Sequence, residues 1–469
     1  MYKIKFGTDG WRGIISDDFT FGNVRRVAQA IADYYNKQTV GKPKIAIAYD
    51  TRFLSETYAR IVGEVLANKD INVIISDRAI PTPALSLSVK VKNMTAGVMI
   101  TASHNPAIYN GIKIKTNSGG AAGIEVTREI EKLLLHLTDY NEVKVSKKIR
   151  RVNFSKDYIS FLRNYIDFKK LKNAKFRVLV DAMYGSGNEF IADVLKGTSL
   201  RLDFIRSQIN PSFGGIRPEP ILENLGLTIA RLREKTYDLG LVLDGDADRV
   251  AGFVGRGEFL HSQKILGLLI LHLVCNRGMS GGVVKTIAGT VLIDKIAARL
   301  GLKLYETPVG FKYISELMEN EDILVGGEEA GGIGFKGYIP ERDGILAGLL
   351  LLEMMAYQRK PMLNILNKME KEFGRYYYLR EQVYLARLKP NAIGGLSSKI
   401  GRLKSKKELL GKKVIQIKDF DGIKLICKDE SWLMLRASGT EPLVRVYSEA
   451  KSLTRAKRLL DFGKDFVAS

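Results

Sequence analysis

DLGLVLDGDADR, residues 238–249, holds an apolar run of Leu239, Leu241, Val242 and Leu243 that stops abruptly at Asp244. Asp246 and Asp248 follow at alternate positions. An apolar run without a polar position marks a strand buried on both faces. The same order, an apolar run and then a polar or glycine-rich loop, recurs in KIAIAYDTR (44–52), AGVMITASHNP (96–106), FRVLVDAMYGSG (176–187) and DILVGGEEAGG (322–332). Helical periodicity separates these runs, as in 23–38, where Val24, Val27, Ala28, Ile31 and Tyr35 share a face, and in 290–303. Strands alternating with helices in this way specify layered α/β structure. In open α/β sheets ligands gather beyond the carboxyl ends of the strands, where every unusual polar cluster of this chain falls.

At 469 residues the chain exceeds a single hydrophobic core, and length alone suggests roughly three domains. From about residue 376 the pattern changes to successive strand-like runs and a final amphipathic helix at 452–466, as expected of a smaller α+β domain. The basic segment 140–156 reads as a linker, and Gly255 and Gly257 mark a break after the acidic loop. The longest apolar stretch, 345–352, is too short to cross a bilayer, and the N-terminus lacks a signal-like apolar region. Two cysteines without CxxC spacing exclude a disulfide framework and point to a reducing cytoplasm. A net charge of +22 raises nucleic acid as a partner. The basic clusters at 144–151 and 399–413 carry no interleaved aromatics, so solvated surface charge is the preferred reading and no specific nucleic acid is expected.

Asp244, Asp246 and Asp248 can converge on one centre as the chain turns, and a hard divalent cation would relieve their mutual repulsion. Arg249 stands where a calcium-binding EF-hand loop needs glycine, so this is another kind of metal loop or a solvated acidic turn. Ser103, in TASHNP, is a turn serine, a hydrolase nucleophile outside any G-x-S-x-G elbow, or a phosphoryl acceptor. Lys113, in GIKIK (111–115), reads alone as a residue of an exposed strand edge. Glu328 and Glu329 sit in a glycine-rich loop that either suits sugar hydroxyls or is a mobile acidic loop. RASGTEP (436–442) with Arg445 offers an arginine fork and a backbone phosphate nest.

TASHNP, DGDADR, GEEAGG and RASGTEP, in that order, together with the opening FGTDGWRG (6–13), resemble the α-D-phosphohexomutase family. The resemblance implies three tandem α/β/α domains, at 1–150, 151–255 and 256–372, and a C-terminal α+β domain at 373–469, around a central cleft. It implies transfer of a phosphoryl group between the 1- and 6-positions of a hexose, through a phosphoserine enzyme and a hexose 1,6-bisphosphate. By motif, Ser103 resembles the phosphoserine, and Asp244, Asp246 and Asp248 the Mg²⁺ ligands, with the ion also touching the serine phosphate. Lys113 and His104 resemble the groups that move protons, and Arg12 and Arg249 those beside the reacting phosphate. Glu328 resembles the sugar ligand, while Arg436, Ser438, Gly439, Thr440 and Arg445 resemble the grip on the distal phosphate. Lys285, in VVKTIAGT (283–290), is assigned to the sugar–phosphate cleft.

With an ordinary pKa near ~10.4, Lys113 would need neighbouring cations or burial to lower it before it could act as a base. The loop TPVGFKYI (307–314), with Gly310 and Lys312, resembles the phosphoglucomutase type more than the phosphoglucosamine type. Ala330 replaces a serine usual in the family, removing one sugar hydrogen bond worth roughly 0.5–1.5 kcal/mol and loosening discrimination between glucose and mannose. The expected enzyme is a phosphoglucomutase with phosphomannomutase activity, monomeric or homodimeric. Phosphoglucosamine mutase and a non-catalytic sugar-phosphate binder are the alternatives.

Overall fold

The five apolar runs become the strands Lys44–Tyr49, Ala96–Ile100, Arg177–Asp181, Leu239–Leu243 and Ile323–Gly327 in the computed structural model, which describes residues 4–7, 9–137, 149–384, 400–437 and 443–468. Four sheets are present among these residues. The first runs, edge to edge, Trp11–Ile14, Tyr109–Lys115, Ala96–Ile100, Lys44–Tyr49, Asn72–Ser76 and Arg150–Val152. Its last four strands are parallel, whereas Tyr109–Lys115 pairs antiparallel with both its neighbours.

The second sheet orders Glu258–Leu260, Val250–Val254, Leu239–Leu243, Arg177–Asp181 and Arg201–Ile205. The third orders Leu304–Thr307, Gly282–Thr286, Ile323–Gly327 and Ile333–Phe335. The fourth, from Tyr377–Tyr384 to Glu408–Leu409, is antiparallel throughout and backed by the helix Leu453–Ala468. Three α/β layers and an α+β layer thus follow one another along the chain.

Three expectations are corrected. Arg150–Val152 pairs with Asn72–Ser76, so the described end of the expected linker belongs to the first sheet and straddles the boundary placed at 150. Gly255 and Gly257, at φ +56 and +111, form the tight turn of a hairpin whose second strand, Glu258–Leu260, stays in the second sheet, so that sheet runs just past the expected break. GIKIK is not an exposed edge: Trp11–Ile14 pairs with Gly111 and Ile112 and Ala96–Ile100 with residues 112–115, and Lys113 and Lys115, 2% and 0% exposed, are buried against Asp246, Asp248 and Asp9 and against Glu341.

The run 345–352 lies in the helix Gly344–Gln358, whose residues 344–355 are all buried. It packs on the strands Leu239–Leu243 and Val250–Val254 and on the helix Ser262–Leu271. Asp343 caps it by accepting the Leu346 N–H at 2.8 Å. No helix of the described residues is long and apolar enough to cross a membrane. Ile287, Ala288 and Val309 pack on Trp432, Met434 and Tyr447, seating the fourth sheet against the third.

Candidate active site

The fully buried strand Ala96–Ile100 delivers the chain into the serine loop. Thr101 Oγ1 donates to Asp50 Oδ2 at 2.6 Å and accepts the Ser103 N–H at 2.8 Å. Ser103 itself has φ +52, a left-handed conformation that costs a side-chain-bearing residue energy. Arg52, the last residue of YDTR, holds the loop in that shape. Its Nη2 donates to the carbonyls of Ser103 and Asn105 at 2.6 and 2.7 Å, and Nη1 to those of Pro106 and Tyr109 at 2.9 and 3.1 Å. Its Nε lies 3.2 Å from Asp50. A lysine cannot reproduce this planar fork. Arg52→Lys is expected to lower stability by roughly 2–3 kcal/mol and turnover about tenfold, with KM for the sugar phosphate little changed. Chemical denaturation and steady-state kinetics check both, and an unchanged kcat would deny Arg52 this bracing role.

Ser103 Oγ donates to Asp244 Oδ2 at 3.0 Å and lies 3.4 Å from His104 Nδ1. Gly245 makes the approach possible, since a Cβ there would stand 2.6 Å from the Ser103 carbonyl oxygen. Asp244, Asp246 and Asp248 are all 0% exposed. Lys113 Nζ lies 2.8 Å from Asp246 Oδ2 and 2.9 Å from both Asp248 Oδ2 and Asp9 Oδ2. Thr82 Oγ1 adds a bond to Asp246 Oδ2 at 2.6 Å. Arg12 Nη1 donates to Asn105 Oδ1 at 2.8 Å, placing its guanidinium beside the serine loop. Arg249 Nε stands 3.8 Å from Asp248 Oδ1.

These surroundings reverse the expected state of Lys113. Burial alone would lower its pKa, but Asp246, Asp248 and Asp9 outweigh it and hold the amine above the ordinary lysine value. Lys113 is therefore an ammonium at neutral pH. The opposite holds for His104: burial, then Arg249, Arg12, Arg217 and Arg380, keep its ring neutral well below the usual imidazole range. Burial and the neighbouring Asp248 and Asp246 push Asp244 well above the usual carboxylate range.

The aspartates fit a divalent cation. One oxygen from each lies within 4.8 Å of the others, and Asp246 Oδ1 and Asp248 Oδ1 are buried without a hydrogen-bond partner. Unpartnered carboxylate oxygens in a dry site are costly, and an oxygen-only donor set suits Mg²⁺ or a similar hard ion.

In the third sheet's loop, the Glu328 N–H donates to the Gly332 carbonyl at 2.9 Å, and Glu328 Oε2 accepts from Arg342 Nη1 at 2.9 Å. Glu329 turns instead to the Thr286 hydroxyl, 2.9 Å away. In the fourth sheet Arg436 and Arg445 are directly opposed on adjacent strands, and Arg436 Nε meets both Asp421 oxygens at 2.9 and 2.8 Å.

One set of known domains matches most of the chain. The phosphoglucomutase/phosphomannomutase α/β/α domains I, II and III match residues 3–141, 156–257 and 261–373, and that family's C-terminal domain matches 399–463. The chain belongs to this family. It is a family of phosphohexomutases, enzymes that are intramolecular phosphotransferases. A phosphoglucomutase/phosphomannomutase of Thermococcus kodakarensis is 30% identical over 464 residues, 98% of this chain and 97% of that protein. A phosphoglucosamine/phosphogalactosamine mutase of Sulfurisphaera tokodaii is 30% identical over 471 residues, 98% of each. A crystal structure of a protein of the phosphomannomutase type from Thermus thermophilus superposes with a TM-score of 0.88 at 32% identity over 100% of both chains.

Of the residues singled out by their resemblance to phosphohexomutase motifs, the fold gathers Ser103, His104, Arg12, Lys113, Asp244, Asp246, Asp248, Arg249 and Glu328 into one connected ionic centre. Lys285 is placed elsewhere. It is 2% exposed and turned within the third sheet to Asp294, to Glu306 at 3.7 Å and to the Thr290 carbonyl at 3.2 Å. Gly310, at φ +134, begins the helix Phe311–Asn320, and Lys312 Nζ lies 5.0 Å from the Tyr313 ring. Ala330 is half-buried in the Glu328 loop. Ser438, Gly439 and Thr440 lie outside the described residues. Sequence reasoning missed Asp9, Arg52, Thr82 and Arg342. Asp9 stands within the FGTDGWRG signature, and Arg52 ends a quoted strand-end motif, so both carried a readable signal.

Proposed function

We propose that the chain interconverts hexose 1-phosphates and hexose 6-phosphates by way of a phosphoserine at Ser103 and a hexose 1,6-bisphosphate. The observation that carries this reading is Ser103 Oγ, 3.0 Å from a carboxylate of a buried aspartate triad that Lys113 also touches. Asp244, Asp246 and Asp248 would hold Mg²⁺, which there would polarise the phosphoryl group and stabilise the charge that develops during transfer. Arg52 fixes the serine, and Arg12 and Arg249 offer positive charge to the phosphoryl oxygens.

Each transfer moves one proton overall, from the attacking sugar hydroxyl to the serine oxygen in one half and back in the other. Lys113, held as an ammonium, enters as the proton donor, and neutral His104 keeps the serine neighbourhood free of a further charge. Glu328 binds sugar hydroxyls. Arg436 and Arg445, with Ser438, Gly439 and Thr440, bind the phosphate that does not react, so the sugar can turn over between halves without leaving.

Glucose is the preferred sugar, with mannose beside it, on the strength of the 307–314 loop and of Ala330 in place of serine. An amino-sugar preference is the second reading, favoured by the relative of that specificity at equal identity. Isomer formation from glucose 1-phosphate, mannose 1-phosphate and glucosamine 1-phosphate, assayed in parallel with Mg²⁺ and a trace of the matching bisphosphate, separates them. Turnover of glucose and mannose phosphates at comparable kcat/KM is expected, and a dominant rate with the amino sugar would replace this choice by the second reading.

A further inference from the structure

Arg342, in the loop between the strand Ile333–Phe335 and the helix Gly344–Gln358, is 3% exposed and contacts carboxylates from three separate parts of the chain. Its Nη1 donates to Glu328 Oε2 at 2.9 Å, its Nε lies 2.8 Å from Asp248 Oδ2, and its Nη2 is bonded to Asp9. Asp248 Oδ2 is shared with Lys113 at 2.9 Å, while its Oδ1 has no hydrogen-bond partner. Two cations therefore compete for one oxygen of the very carboxylate whose other oxygen has only Arg249 Nε near it, 3.8 Å away.

The guanidinium can shift only as a unit. The neighbouring Glu341 is anchored by Lys115 and accepts the Arg342 N–H at 3.0 Å. The side chain crosses Gly332 so closely that a Cβ there would stand 2.5 Å from Arg342 Cδ and 3.1 Å from Glu328 Oε2. A planar fork held this way cannot adjust its three contacts independently. A gain at one carboxylate is a loss at another.

We propose that Arg342 is a positioning residue that couples cation occupancy of the aspartate triad to the sugar-loop carboxylate Glu328. The proposal rests on the reading of Asp244, Asp246 and Asp248 as metal ligands. A divalent cation drawing on Asp248 loosens that residue's hold on Arg342, and the guanidinium closes on Glu328. Conversely, neutralising Glu328 commits Arg342 to Asp248, in opposition to the cation. The metal loop and the sugar loop thus sense one another before any substrate is bound.

The test uses Mn²⁺ as the probe on the full chain without sugar, with free ion followed by electron paramagnetic resonance. Affinity is measured for the native chain, E328Q, R342K and the double variant. E328Q is expected to weaken Mn²⁺ binding about fivefold in the native background and by less than about twofold in the R342K background. Gly332→Ala keeps every charge but displaces the fork, and is expected to abolish the E328Q effect in the same way should R342K fail to fold. An equal E328Q effect with and without the arginine fork would mean simple through-space attraction and would overturn the coupling. No E328Q effect in the native background would overturn it too. A native chain that binds no Mn²⁺ would instead remove the metal reading itself, a separate result.

Discussion

Ser103→Ala is expected to lower kcat by on the order of 10⁴-fold or more while leaving a folded, cation-binding protein. On the proposed reading the loss is large because Ser103 is the group that carries the phosphoryl between the two positions of the sugar. The fold should survive, because the loop is shaped through the Ser103 backbone: its N–H goes to Thr101 and its carbonyl to Arg52. Only the hydroxyl bonds to Asp244 and His104 are removed, worth roughly 1 kcal/mol each. Parallel kinetics and thermal melting check this, and retention of more than about one per cent of turnover would place the phosphoryl acceptor elsewhere.

Lys113→Met is expected to cost about 10²- to 10⁴-fold in turnover and, without added metal, roughly 3–5 kcal/mol of stability. It strands Asp246, Asp248 and Asp9 with the charge that Lys113 now neutralises at 2.8 to 2.9 Å. Mg²⁺ held by the aspartate triad would supply replacement charge to two of these carboxylates, Asp246 and Asp248, so the stability difference should shrink as Mg²⁺ is added, whereas turnover should not return. Melting with chelator and with Mg²⁺, alongside kinetics, reads both halves. Full turnover, or a destabilisation indifferent to Mg²⁺, would deny Lys113 its place between acid and counter-ion.

The strand-and-loop order was legible because strands buried on both faces leave uninterrupted apolar runs, and those runs end where the chemistry sits. DGDADR and TASHNP were legible as polar clusters at such ends, though Ser103 alone looked like a turn residue. What brings them together was not legible. Asp9, Thr82 and Arg342 reach Lys113 or the aspartates only through tertiary contacts. For that reason the charge around Lys113 could not be read: a base role required cations or burial to lower its pKa, and the fold surrounds the amine with carboxylates instead.

The GIKIK strand shows a second kind of limit. Alternation of isoleucine and lysine is the pattern of a half-exposed edge, yet Lys113 is buried against Asp246, Asp248 and Asp9 and Lys115 against Glu341. Period-two patterning reports which residues share a face, not whether that face meets water or a buried carboxylate. Likewise Gly255 and Gly257 announce a turn correctly, but a hairpin turn and a domain boundary call for the same residues.

The first measurement to make is the location of phosphate on the protein itself. The chain is incubated with glucose 1,6-bisphosphate and Mg²⁺, digested and read by mass spectrometry, before and after a chase with glucose 1-phosphate. A single phosphoserine at Ser103 that persists through the chase while glucose 6-phosphate accumulates, because each turnover reloads the serine from the bisphosphate, is the expected result. Isomer formation with no phosphate at Ser103, or with phosphate on another residue, would contradict a transfer carried by this serine.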